Sequence, residues 1–166
     1  MQTWCLVALA GSTCLAADAP IRPVRICEVL GDPDSFDGKT AAIVVRYSFR
    51  ESGRFVGEDA CPADNSAGER HDVRLVFDAK NAPRMPEVFE IDSAVLDQKW
   101  KAVKQHTLLG KFRFGSADYD RWAVVYGRVE IRRSGGPSAG GKTEAKASEV
   151  QVVCRGESAM LFLHEE

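Results

Sequence analysis

Three histidines and five cysteines are the residues of this 166-residue chain best suited to acid-base, covalent or metal chemistry. His71, His106 and His164 stand far apart, and none belongs to an HExxH zinc helix, a Gly-x-Ser-x-Gly nucleophile elbow or a Cys-His pairing. The nearest approach to a catalytic set is His71 with Asp59 or Asp72, a grouping that only folding can assemble. An isolated histidine beside a strand is more often a packed or surface residue than a proton shuttle. No cofactor or metal set follows from these residues. Binding is therefore the first expectation, and a small hydrolase the lesser one.

The cysteines bear on the compartment. Residues 5 to 17, CLVALAGSTCLAA, are uncharged and too short for a membrane span, which needs roughly 20 apolar residues. With Leu15 and Ala17 at the minus-three and minus-one positions, Met1 to Ala17 reads as a signal peptide cleaved after Ala17, although the positive n-region is missing. Cys14 as a lipoprotein anchor is the weaker alternative, because Gly11, Ser12 and Thr13 do not supply the preferred residues before it. The expected location is periplasmic or secreted. Cleavage removes Cys5 and Cys14 and leaves Cys27, Cys61 and Cys154 in an oxidising compartment, where one pair and one remainder are expected. Cys27 and Cys61 flank the first strand pair, so a disulfide between them would staple the entry segment to the loop that follows. Cys154 sits in an apolar strand and reads as a buried, inert thiol.

Gly136 to Thr143 matches the phosphate-binding loop letter for letter. That loop works only where a strand delivers it to the N-terminus of a long helix, whose free amides and dipole face the phosphates. Here Glu144 to Glu149 leaves room for no such helix before the next strand, so the motif is a chance match within a Gly, Ser and Ala rich loop spanning 133 to 148, expected to be flexible. A local charge patch carries more weight. No acid falls between Asp97 and Asp118, while Lys99, Lys101, Lys104, Lys111 and Arg113 are basic and Trp100, Phe112 and Phe114 are interleaved with them. Basic groups neutralise phosphates and aromatics stack on bases, so these five residues are the candidate site for an anionic ligand: oligonucleotide, glycan or lipid head group. The bland reading is a solvated helix face with its aromatics turned to the core. Glu58, Asp59, Asp64, Asn65 and Glu69 could supply oxygen ligands to calcium, but their spacing is irregular.

These residues must be positioned by one domain. Removing Met1 to Ala17 leaves 149 residues, an ordinary size for a single core, and a hydrophobic fraction of 45% with 28% charged residues suits a globular protein without an integral membrane span. A net charge of -2 creates no field that would draw nucleic acid or an anionic membrane to the chain as a whole. Ile26 to Leu30 predicts a helical turn, and Asp34 to Lys39 a turn. Thr40 to Phe49 alternates, with Ala41, Ile43, Val45, Tyr47 and Phe49 on one face and Arg46 and Ser48 on the other, which predicts the clearest strand. Further strands are expected at Arg54 to Glu58, Asp72 to Phe77, Leu108 to Phe114, Trp122 to Ile131, Val150 to Cys154 and Met160 to Leu163. Ser93 to Gln105, capped by Asp92, is the one substantial helix. Strands, helix and returning strands in this order predict a mostly β domain over 18 to 166, an OB-like Greek-key barrel, or another antiparallel sheet with one helix.

Cys27, Leu30, Pro33, Phe36, Asp37, Gly38 and Lys39, then Cys61-Pro62, Gly110 to Arg113 and Val125 to Glu130, form a pattern that spans most of the chain after residue 17. It resembles a family of small exported bacterial proteins with an OB-like domain. The resemblance implies a barrel-like fold without implying an activity, because the family carries no settled function. The segment from Arg133 to Ser148 departs from it.

Overall fold

The computed structural model describes residues 19–61, 71–110, 117–133 and 148–164. Met1 to Ala17, the Gly136 to Thr143 motif, Lys111, Phe112, Arg113 and Phe114 lie outside them. In chain order the elements are β1 (Val24–Arg25), α1 (Ile26–Gly31), α2 (Pro33–Phe36), β2 (Thr40–Arg50), β3 (Gly53–Glu58), β4 (His71–Phe77), α3 (Ser93–His106), β5 (Tyr119–Arg133), β6 (Ser148–Cys154) and β7 (Met160–Leu163).

Five of these strands close a barrel. β2 pairs antiparallel with β3, β3 with β4, β5 with β6 and β5 again with β2, while β4 and β6 run parallel. This is the OB arrangement, with α3 inserted between the third and fourth barrel strands. Closure pairs strands that would otherwise be the edges of an open sheet. Two strands lie outside the barrel. β1 runs parallel to β2 at Ile43 and Val44, and β7 pairs antiparallel with β5 from Trp122 to Val125.

Alternation explains the barrel core. Ile43, Val45 and Tyr47 point inward and are fully buried, meeting Val56, Val73, Leu75, Val125 and Val152 from the other strands. Ile26 and Val29 enter the same cluster, so the short helix α1 packs its apolar side against the barrel interior. Its successor α2 begins at Pro33, whose missing N–H is harmless in a first turn, and Asp32 caps it through the Ser35 amide.

The opposite face of β2 is buried as well. Ala42 and Val44, with Trp122 and Val124 of β5, form a second apolar cluster beneath Val103, Leu96 and Trp100 of α3. Helical spacing thus does turn Leu96, Trp100 and Val103 to one side, and Asp92 accepts from the Val95 amide as a cap.

One expected strand is corrected. Leu108, Leu109 and Gly110 form no strand, and the rest of Leu108 to Phe114 lies outside the described residues. Side chains take the place of a ladder there: the Leu108 amide donates to Asp59, its carbonyl accepts from Arg46, and the Gly110 amide donates to Asp120. The fourth barrel strand is β5. Parallel pairing of β4 with β6 completes the closure.

Candidate ligand-binding surface

Cys27 of α1 and Cys61, just beyond β3, form a disulfide with their Cα atoms 5.1 Å apart. Beside it Glu58 is fully buried and paired with Arg25, whose Nε donates at 3.1 Å, while the Cys27 amide donates at 3.4 Å. Both cysteines are under a tenth exposed. The bond is a staple that holds α1 to the end of β3. Cys154 is a buried free thiol, and burial pushes its pKa up, away from the thiolate a nucleophile needs.

A second polar cluster occupies the outer face of β2. Arg46 has no exposed surface, and its guanidinium holds two carboxylates, that of Asp59 and that of Asp72 at 2.8 Å. Burial opposes its charge, but the hydrogen bonds and charges of the two aspartates prevail and raise its pKa. The pairing depends on Gly57. In register, Arg46 lies opposite Gly57 and Gly57 opposite Asp72, so the carboxylate crosses a strand to reach the arginine. A Cβ at Gly57 would stand 2.4 Å from Asp72 Oδ1 and 2.5 Å from the His71 carbonyl, closer than any side chain tolerates. Both acids of the sequence grouping with His71, Asp59 and Asp72, hold Arg46. Of the residues weighed for calcium, Glu58 and Asp59 are engaged by arginines, and Asp64, Asn65 and Glu69 lie outside the described residues.

The lysines expected to form a patch fall on α3, but they do not act alike. Lys99 pairs with Glu28 of α1, Lys104 stacks its ammonium 4.3 Å from the centre of the Trp100 ring, and Lys101 is exposed. Trp100 itself belongs to the apolar seam beneath the helix. Lys111 and Arg113 lie outside the described residues.

A different aromatic-basic pair is presented by the barrel wall. Phe55 of β3 and Arg74 of β4 are cross-strand neighbours on the outer face, with the guanidinium 6.0 Å from the ring centroid. Arg74 is exposed and pairs with no carboxylate among the described residues. Its neighbour on β6 is Gln151, only 3% exposed, whose amide donates to Glu130 at 2.8 Å while its carbonyl oxygen has no hydrogen bond among the described residues. Hydrogen bonds from Arg128 hold Glu130 below the usual carboxylate range against its partial burial. The row therefore sets an aromatic face and a cation side by side, next to the buried Gln151. In OB barrels this pair of strands is the usual ligand platform.

At the end of the barrel Arg54 points inward and stacks over Phe77 and Phe49, at 4.4 and 5.4 Å from their centroids. Burial pushes the neighbouring Tyr47 phenol from 10.0 up to about 12, helped by Tyr119 and opposed by Arg54. The unfolded chain therefore ionises first. Stability contributed by the neutral phenol is complete below pH 10 and is lost as pH rises toward 12. A Tyr47→Phe variant is expected to flatten the decline in the urea midpoint across that interval, and parallel declines in both proteins would show that this phenol plays no part.

Sequence alone does not single out Phe55 and Arg74, because only the β3–β4 register brings them together. The available signal was a phenylalanine set between two glycines, Gly53 and Gly57, on one face of β3. Searches against protein-family models, curated proteins and solved structures return no significant match to this chain.

Proposed function

We propose that this protein is an exported, non-catalytic binding module that takes an extended anionic ligand across the outer face of β3 and β4. The observation that carries the reading is Phe55 beside Arg74, exposed and without a carboxylate partner among the described residues, on the outer face of β3 and β4 in a closed OB-like barrel, the face that binds ligands in OB folds. Phe55 supplies a stacking surface for a base or sugar ring, and Arg74 a charge for phosphate or sulfate. Lys101 and Lys104, on the helix that covers the neighbouring β2 and β5, add to the attraction at longer range. Export is supported by the uncharged leader Met1 to Ala17 and by the Cys27–Cys61 disulfide, which persists only under oxidising conditions. No helix among the described residues is long and apolar enough to cross a membrane.

The test is a titration with a deoxythymidine decamer and, separately, a sulfated hexasaccharide at several salt concentrations. Phe55→Ala is expected to weaken capture of the preferred probe by about 5- to 100-fold, the range for one stacked ring. Arg74→Ala is expected to weaken it and also to reduce the salt slope by about one contact. Affinity that neither substitution changes would remove the β3–β4 face from consideration, and loss on Lys101→Ala with Lys104→Ala alone would move the site to α3.

A further inference from the structure

β7 is the terminal strand of the sheet, paired on one side with β5. Among the described residues no strand pairs with its other side. The strand reads Met160-Leu161-Phe162-Leu163, without the charge or proline that normally guards such an edge. Phe162 turns into the barrel core and Leu163 into the cluster under α3, whereas Leu161 is 48% exposed. A cavity of about 410 Å³ opens beside this strand, with Leu109, Trp122 and Leu163 as its apolar wall and Arg121 and His164 among its polar residues.

Charge in the cavity is one-sided. Asp120 also lines it, but its side chain is 2% exposed, accepts from the Gly110 amide at 2.6 Å and is paired with Arg50. Burial would raise its pKa, yet Ser48, Gly110 and Arg50 together hold it below the usual carboxylate range, so its negative charge is answered inside the protein. Arg121 is exposed, rests its guanidinium on Tyr119 and Phe162 at 5.2 and 5.3 Å, and has no carboxylate partner among the described residues. The β7 edge, the cavity and the Arg121 guanidinium thus adjoin one another.

We propose that the β7 edge and this cavity bind an extended acidic segment of a partner protein by strand addition. The segment's main chain pairs with the free side of β7, one apolar side chain enters the cavity, and a neighbouring carboxylate meets Arg121. A second copy of this chain is the alternative occupant: its own Met160 to Leu163 strand carries no acid, and its nearest acids, Glu157, Glu165 and Glu166, lie outside that strand. This surface lies apart from Phe55 and Arg74, so its test does not depend on theirs.

The experiment measures fluorescence anisotropy of labelled hexapeptides with the whole chain. An alternating valine-aspartate peptide is expected to bind at least about tenfold more tightly than its valine-lysine counterpart. Methylation of its alternate main-chain nitrogens should abolish binding. Arg121→Glu should invert the preference, and Arg121→Gln, which keeps the aliphatic stem over the two rings, should erase it if the glutamate variant does not fold. Equal affinity for both peptides, or none for either, overturns the proposal. So does a dimer in sedimentation that Leu161→Lys dissociates, since that outcome gives the edge to a second copy.

Discussion

Replacing both Cys27 and Cys61 by alanine is expected to lower the unfolding free energy by about 4 kcal/mol, the chain-entropy estimate for a loop of this length. The bridged residues are 34 apart in sequence, so the bond removes considerable freedom from the unfolded chain. In a domain of this size such a loss lowers the melting temperature by about 10 °C. The fold itself should survive, because Ile26 and Val29 remain packed in the barrel core and Glu58 still holds Arg25. Strand content by circular dichroism should therefore match the parent at 20 °C or so while the denaturant midpoint falls. A midpoint that does not move would mean that α1 is held entirely by packing and that the bond is incidental.

Arg46→Met should be nearly as damaging, costing about 3 kcal/mol, the lower end of the range for removing one partner from a buried ion pair. The lower end applies because Asp59 and Asp72 keep 27% and 31% of their side chains exposed, and water relieves part of their charge once the arginine is gone. Adding Asp59→Asn and Asp72→Asn to the same protein should recover part of the loss, since no unpaired charge then remains beneath the strands. Urea denaturation of the three proteins measures both steps. If the single variant falls by less than about 1 kcal/mol, the cluster contributes no more than exposed ion pairs do, and Gly57 must be explained by backbone contact with His71 alone.

Much of the architecture was legible because it rests on local pattern. Alternation from Thr40 to Phe49 located β2 within a residue, the Met160 to Leu163 run gave β7, and an Asp92 cap with apolar residues at helical spacing gave α3. Cys27 and Cys61 flank one hairpin, so their pairing could be anticipated without knowing the fold. What escaped was everything set by nonlocal contact. Arg46 looked like a solvent-facing residue because alternation places it opposite Tyr47, but the second core under α3 buries that face too, and the two acids that make this tolerable come from other elements. Lys99 looked available for a ligand until α1 brought Glu28 against it. Leu108 to Gly110 carries strand-like residues, yet Asp59, Arg46 and Asp120 take up its main-chain groups. Phe55 and Arg74, 19 positions apart by number, become neighbours only through the β3–β4 register.

The measurement that bears most directly on the binding reading is amide chemical-shift mapping of the isotope-labelled chain during titration with the deoxythymidine decamer and with the sulfated hexasaccharide. Binding as proposed predicts shifts concentrated in Gly53–Gly57 and Asp72–Val76, extending to Gln151, for at least one of the two probes. Shifts confined to α3 around Lys99 to Lys104, or no shifts with either probe, would contradict it.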